Sequence, residues 1–190
     1  MQKRWQTYHQ QTKSREISPL LKEAITFVKN KNAALDLGAG ALIESRFLLS
    51  EGFKKVISVD IVPFEPIDTA GFTFVESSFE TYDFPKEAFD IINAQFSLPF
   101  TDPKSFPNVW KKMTTSLVIG GVFSGQLFGQ NDDWSNEPSM TFHTRVQIEK
   151  MLSGFETIKL EEIEKDAPLA GGGTKHWHVF ALIFRKTQNN

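Results

Sequence analysis

The stretch Ala33-Ala34-Leu35-Asp36-Leu37-Gly38-Ala39-Gly40-Ala41-Leu42, with Val56-Ile57-Ser58-Val59-Asp60 behind it, decides the fold. An apolar run ends in an acid, two glycines one residue apart follow, and a helical pattern begins. Roughly 20 residues further on, a second β-branched run ends in another acid, the layout of a first βαβ unit that takes a nucleotide-like cofactor at the carboxyl ends of its strands. Gly38 and Gly40 remove Cβ atoms where the chain turns from strand to helix, which permits positive φ and lets a ligand lie on bare backbone. N–H groups opening the next helix then point at polar ligand groups. Asp60, at the tip of the second strand, is placed to accept hydrogen bonds from the two hydroxyls of a ribose. Ala39, between the glycines, and Ile61, after the second acid, complete the cofactor-binding set. The plain alternative is a glycine-rich turn with a packing role only.

The cofactor is read from what surrounds the glycines. A dinucleotide fingerprint needs a third glycine at position 43, and that residue is Ile43. Instead Asp36 stands two residues before the first glycine. Asp36-Leu37-Gly38-Ala39-Gly40 resembles the first motif of class I S-adenosylmethionine-dependent methyltransferases, and Asp60 resembles their second. The resemblance implies that the glycine loop lies against the methionine part of S-adenosylmethionine, with S-adenosylhomocysteine as product, and that Asp60 holds the ribose. The family's third glycine falls at position 42, which is Leu42 here. The resemblance runs along nearly the whole chain. It includes Phe96-Ser97-Leu98-Pro99-Phe100, Gly125-Gln126-Leu127-Phe128-Gly129, Thr141-Phe142-His143-Thr144-Arg145 and Lys175-His176-Trp177-His178. It is nearest to the small single-domain bacterial members grouped loosely with tellurite and thiopurine methyltransferases.

Composition sets the outer bounds. A chain of 190 residues with 40% hydrophobic residues is expected to form one domain over 1–190. Its net charge of −2 disfavours nucleic acid as a partner. There is no cysteine, hence no disulfide, thiolate zinc site or cysteine nucleophile. No signal peptide and no apolar run of membrane-spanning length is present, so a cytoplasmic protein, monomer or homodimer, is the expectation.

Taken in order, residues 1–16 are polar with Trp5 and Tyr8 as isolated aromatics, either a frayed end or, as the resemblance implies, a lid over cofactor and substrate. Arg15 would then pair with the methionyl carboxylate, since arginine meets carboxylates bidentately; a solvated arginine is the alternative. Ser18-Pro19 reads as an N-cap followed by proline at the first helical position, with Leu20, Leu21, Ala24, Ile25 and Val28 on one face. Strand one follows, then a helix over 42–50 and strand two over 55–60. The connection to strand three, with Pro63 and Pro66, is expected to hold one or two turns of helix. Strand three is 71–75, strand four 88–96, a helix 103–117, and strand five 122–128. A helix capped by Thr144 has Val146, Ile148, Met151 and Leu152 on its apolar face. Strand six, 155–163, a loop over 165–174 with Gly171-Gly172-Gly173, and strand seven, 175–185, close the chain. The expected fold is α/β, a Rossmann-like doubly wound sheet of seven strands. It is mostly parallel with strand seven antiparallel, in the order 3-2-1-4-5-7-6, the last feature being how the family finishes its sheet.

The resemblance places Ser78 and Phe79 at the adenine, and Gln95 and Phe96, at the end of strand four, facing the transferred methyl group. Asn93-Ala94-Gln95-Phe96 lacks the double proline of enzymes that methylate exocyclic amines of DNA bases. Tyr8, Trp134 and Phe142 are the expected walls of a small-molecule acceptor pocket. Asp132 or Asp133 could bind a cationic group, with solvated turn acids as the plainer reading. His143, His176 and His178 are candidates for a general base, with hydrogen-bonded surface histidines as the alternative for each. His176 and His178 share a strand face, but no third ligand stands near in sequence, so no metal is expected. The function expected is methyl transfer to a small molecule. Two other readings stay open: a nicotinamide-dependent oxidoreductase on the same kind of sheet, and a non-catalytic module that binds S-adenosylmethionine.

Overall fold

The computed structural model describes residues 2–64, 67–169 and 172–188; Pro66 and Gly171, named above, lie outside them. The strand Ala33–Leu37, here β1, is buried at every position, as an apolar run must be when parallel neighbours and helices cover it on all sides. The chain runs α1 (Gln2–Thr12), α2 (Pro19–Ile25), β1, α3 (Ile43–Ser50), β2 (Lys55–Asp60), β3 (Phe72–Glu76) and β4 (Phe89–Ala94). A 3₁₀ turn (Leu98–Phe100) follows, then α4 (Phe106–Ser116), β5 (Leu117–Gly129), β6 (Phe142–His143), α5 (Arg145–Met151), β7 (Phe155–Pro168) and β8 (Thr174–Lys186).

The strands form one sheet in the order β3-β2-β1-β4-β5-β8-β7, with β8 antiparallel between β5 and β7. This is the expected winding, with β7 and β8 as the expected strands six and seven. The sheet has eight strands rather than seven, because β6 pairs with Phe128 and Gly129 of β5. The physical reason is a free edge. β4 ends at Ala94, opposite Gly125, so the last residues of β5 keep unpaired groups on that side, and Phe142–His143 takes them.

Alternation along the strands divides the core in two. Leu35, Leu37, Ile92, Phe123 and Phe184 meet Val109, Trp110 and Met113 of α4 and Ile148 beyond it. Ala34, Ile91, Val122 and Ile183 meet Leu20, Leu21 and Ala24 of α2 and Leu48 of α3 on the opposite face. The order of strands reverses between β1 and β4, so their carboxyl ends open a crevice.

Several local expectations need correction. No helix occurs between β2 and β3 among the described residues; the segment is short, and Pro63 lacks the N–H a helix would use. Val146 is exposed, because it lies two residues from the buried Ile148 and so points to the other side of α5. The cap on α5 is as expected, and Thr144 and Gln147 form a reciprocal capping box. Ser18 makes no side-chain cap on α2; its hydroxyl donates to Gln95 instead. β5 begins at Leu117, directly after α4, and β7 runs on to Pro168 because β8 pairs with it up to Thr174.

Candidate active site

The glycine loop is bound to the end of β2. Gly38 N–H and Ala39 N–H both donate to the Val59 carbonyl, at 2.8 and 3.3 Å. Gly40 N–H donates to Asp60 Oδ2 and Val62 N–H to Asp60 Oδ1, each at 2.9 Å. Asp60 therefore shapes the loop as well as standing at its mouth. Gly38 has φ +72° and Gly40 φ +50°, backbone that side chains rarely adopt. A Cβ on Gly38 would press into Ser97, 3.0 Å from its Oγ, with Phe79 Cζ 3.5 Å away. Leu42, at the family's third glycine position, is also left-handed, with φ 61° and ψ 26°. That conformation costs a leucine about 1–2 kcal/mol. Complete burial of the side chain holds it there.

Register brings four polar residues into one row across the sheet: Ser58 on β2, Asp36 on β1, Asn93 on β4 and Ser124 on β5. All four are buried on the α2–α3 face. Ser45 of α3 donates to Asp36 Oδ2 at 2.6 Å and lies 2.7 Å from Ser58 Oγ. Asn93 donates to Asp36 Oδ1 at 2.8 Å. Gln95 donates to Asn93 at 2.6 Å and to Ser124 at 3.2 Å, and its own oxygen accepts from Ser18 and Gln126. Gln126 in turn accepts the Phe96 N–H at 3.1 Å. Burial, with Glu44 nearby, pushes the Asp36 carboxyl up to about 7, against the pull of its bonds from Ser45 and Asn93. Phe96, at the end of this network, has φ 52° and is 41% exposed, strained backbone of the kind that clusters at functional sites.

α1 covers the loop. His9 is only 4% exposed; its Nε2 is 3.9 Å from Asp60 Oδ2, and its ring lies 3.5 Å from where a Cβ of Gly40 would be. Burial lowers its pKa, and Asp60 opposes that shift. Trp5 packs edge-on to Phe100 at 4.7 Å between ring centres, and Tyr8 packs on Trp5 at 5.9 Å. Arg15, expected to await a carboxylate of the cofactor, is committed to Glu44, which it grips with both terminal nitrogens. Glu44 is buried in the first turn of α3 and needs a cation there. Ser78 Oγ is within 3.1 Å of Thr81 Oγ1, Ile61 is half-buried after Asp60, and Phe79 packs partly into the core.

Tyr8, Phe96, Trp134 and Phe142 belong to one continuous set of rings, linked through Trp5, Phe100, Phe128 and Trp177. Within it lies Lys175, 2% exposed, its Nζ 3.8 Å from the Trp177 ring centre and 4.3 Å from that of Trp134. Lys175 is ion-paired to Asp132, which also accepts from the backbones of Trp134 and His178. Asp132 is thus a buried structural acid and not a solvated one.

The histidines are placed differently from the general-base expectation. His178 Nδ1 accepts the Asn131 N–H and Nε2 bonds Glu162 at 2.9 Å. The half-buried His176 bonds Asp166 and Glu164, which raise its pKa in that order. Both are held by partners on the terminal hairpin and the loop after β5, none of them in the glycine loop. His143 is buried against Phe106, and burial lowers its pKa to about 4. His9, Glu44, Lys175, Trp177 and Phe100 escaped the sequence reading, because their partners are far off in the chain. Phe96-Ser97-Leu98-Pro99-Phe100 and Lys175-His176-Trp177-His178, already noted as stretches of the resemblance, contain three of them without a role assigned. Among the described residues no three His, Asp or Glu side chains gather as a metal site requires, and no helix is long and apolar enough to cross a membrane.

Compared by sequence, the chain matches no protein-family model and no curated protein. Compared by structure, it is similar to 1,6-didemethyltoxoflavin-N1-methyltransferase of Burkholderia thailandensis, crystallised with 1,6-didemethyltoxoflavin and S-adenosylhomocysteine. That match has TM-score 0.67 and 17% identity over 96% of this chain and 81% of that one. TehB of Haemophilus influenzae gives TM-score 0.71 and 14% identity over 91% of this chain and 63% of that one. The N-methyltransferase NodS of Bradyrhizobium japonicum gives 0.65 and 12% over 96% and 97%. The chain shares their fold.

Proposed function

We propose that this chain is an S-adenosylmethionine-dependent methyltransferase acting on a small-molecule acceptor. The observation that carries the reading is the glycine loop, held left-handed at Gly38 and Gly40 against Asp60 at the switch point of the sheet. The fold shared with two methyltransferases, one of them holding S-adenosylhomocysteine, supports it. The donor set fits the cofactor. Asp60 presents a carboxylate to ribose hydroxyls, Gly40 has no Cβ, and the Phe79 ring stands beside the loop for a base.

When bound, the cofactor's sulfonium supplies a methyl group ready for in-line displacement. The protein's part is then positioning and exclusion of water. Asp60 and the glycine loop fix the donor. Phe96, in its strained left-handed conformation, and the rings of Tyr8, Trp134 and Phe142 wall the acceptor. No side chain need carry a proton for this step, consistent with His176 and His178 being engaged elsewhere.

Thermal unfolding with and without S-adenosylhomocysteine, S-adenosylmethionine or NAD tests the reading. Ligand at about 100 times its Kd adds roughly 2.7 kcal/mol, which is a rise of about 5–10 °C for a chain of this size. A rise with the two adenosyl ligands only is expected. A rise with NAD alone, or none, overturns the proposal. Turnover across an acceptor panel then separates an enzyme from a binding module.

A further inference from the structure

We propose that His9 stands in the place of the cofactor's ribose, so that α1 and the cofactor compete for Asp60. The inference rests on the reading above. Each oxygen of Asp60 already accepts one backbone N–H, from Gly40 or from Val62. What remains for a ribose diol is the face turned toward α1, and the His9 imidazole fills it, 3.9 Å from Oδ2. The same ring covers the side-chain-free face of Gly40, with two of its atoms 3.5 and 3.6 Å from the position of an added Cβ. A sugar on Asp60 and a ring at that position exclude each other.

Two further observations mark the position as one that His9 can leave. Its Nδ1 is buried without a hydrogen-bond partner, a costly arrangement that movement into water relieves. Beside it lies a cavity of about 370 Å³, lined by Gln6, His9 and Gln10 of α1 and by Val62, Pro63 and Phe64 after Asp60. That cavity adjoins Asp60 on the side where the chain leaves β2. Entry of the nucleoside therefore joins space that already exists to space that His9 vacates.

The experiment is titration of S-adenosylhomocysteine into the unmodified 190-residue chain and into His9→Ala and His9→Phe, with circular dichroism melts confirming that each is folded. A ring that fills the site nine-tenths of the time reduces apparent affinity about tenfold. His9→Ala is therefore expected to bind about tenfold more tightly, chiefly through faster association. His9→Phe keeps a ring and should bind no more tightly than the unmodified protein. Unchanged or weaker binding by folded His9→Ala overturns the inference while leaving the cofactor reading intact. Failure of all three proteins to bind overturns the cofactor reading and this inference with it.

Discussion

Gly38→Ala is the sharpest probe of the glycine loop. The new Cβ would meet Ser97, whose hydroxyl donates to the Leu37 carbonyl at 2.7 Å and fixes it against the loop. Alanine at φ +72° loses roughly 1 kcal/mol in conformation. Forcing Ser97 or the loop aside adds about 1–3 kcal/mol. Together these give a loss of about 2–4 kcal/mol, or roughly 5–15 °C in the unfolding midpoint. The assay is reversible thermal unfolding, and the control is a double-mutant cycle with Ser97→Gly. That change alone loses one hydrogen bond, about 0.5–1.5 kcal/mol. In the double variant the extra methyl has room, so its loss should fall short of the sum of the two single losses by about 1–3 kcal/mol. Strict additivity, or a Gly38→Ala midpoint within about 2 °C of the unmodified protein, would refute close packing on Ser97 as the reason for the glycine.

Two buried groups should oppose each other in acid. Asp36 has a folded pKa of about 7 against 3.8 when free, so the folded chain binds the extra proton and gains stability as pH falls through that window. His143 has a folded pKa of about 4 against 6.5 when free, so the unfolded chain binds the proton and stability falls as pH drops through that window. Asp36→Asn should therefore steepen the loss of stability on acidification, and His143→Leu should lessen it. Urea midpoints between about pH 4 and about pH 7.5 decide this, and unchanged slopes in both variants would sink the argument. Lys175→Met leaves the buried Asp132 without its cation and should cost about 3–5 kcal/mol in urea unfolding. Adding Asp132→Asn should restore most of that loss; if the single change costs under about 1 kcal/mol, the ion pair has no structural weight.

Asp36, Gly38, Gly40 and Asp60 were legible because their roles depend on neighbours in sequence: a strand end, a tight turn, the next strand end. Tyr8, Trp134 and Phe142 were legible only as aromatics near predicted loops. That Trp5 and Phe100 join their rings follows from α1 folding back over the 3₁₀ turn, and Trp177 joins them from β8. Arg15 shows the limit of chemistry without coordinates. It does meet a carboxylate bidentately, but that carboxylate belongs to Glu44 of its own chain.

By itself the sequence determined the first βαβ unit and most of the elements around it, since a buried parallel strand, a glycine turn and an amphipathic helix each leave a local pattern of apolar spacing and backbone freedom; the order of the strands and the antiparallel β8 were expected from the family resemblance. Tertiary structure alone decided the polar row Ser58–Asp36–Asn93–Ser124, the Lys175–Asp132 pair and the seat of His9 on Asp60. These pairings join strands and helices far apart in the chain. No periodicity records them, because hydrogen bonds and desolvation depend on which side chains the folded sheet brings within about 3 Å of one another.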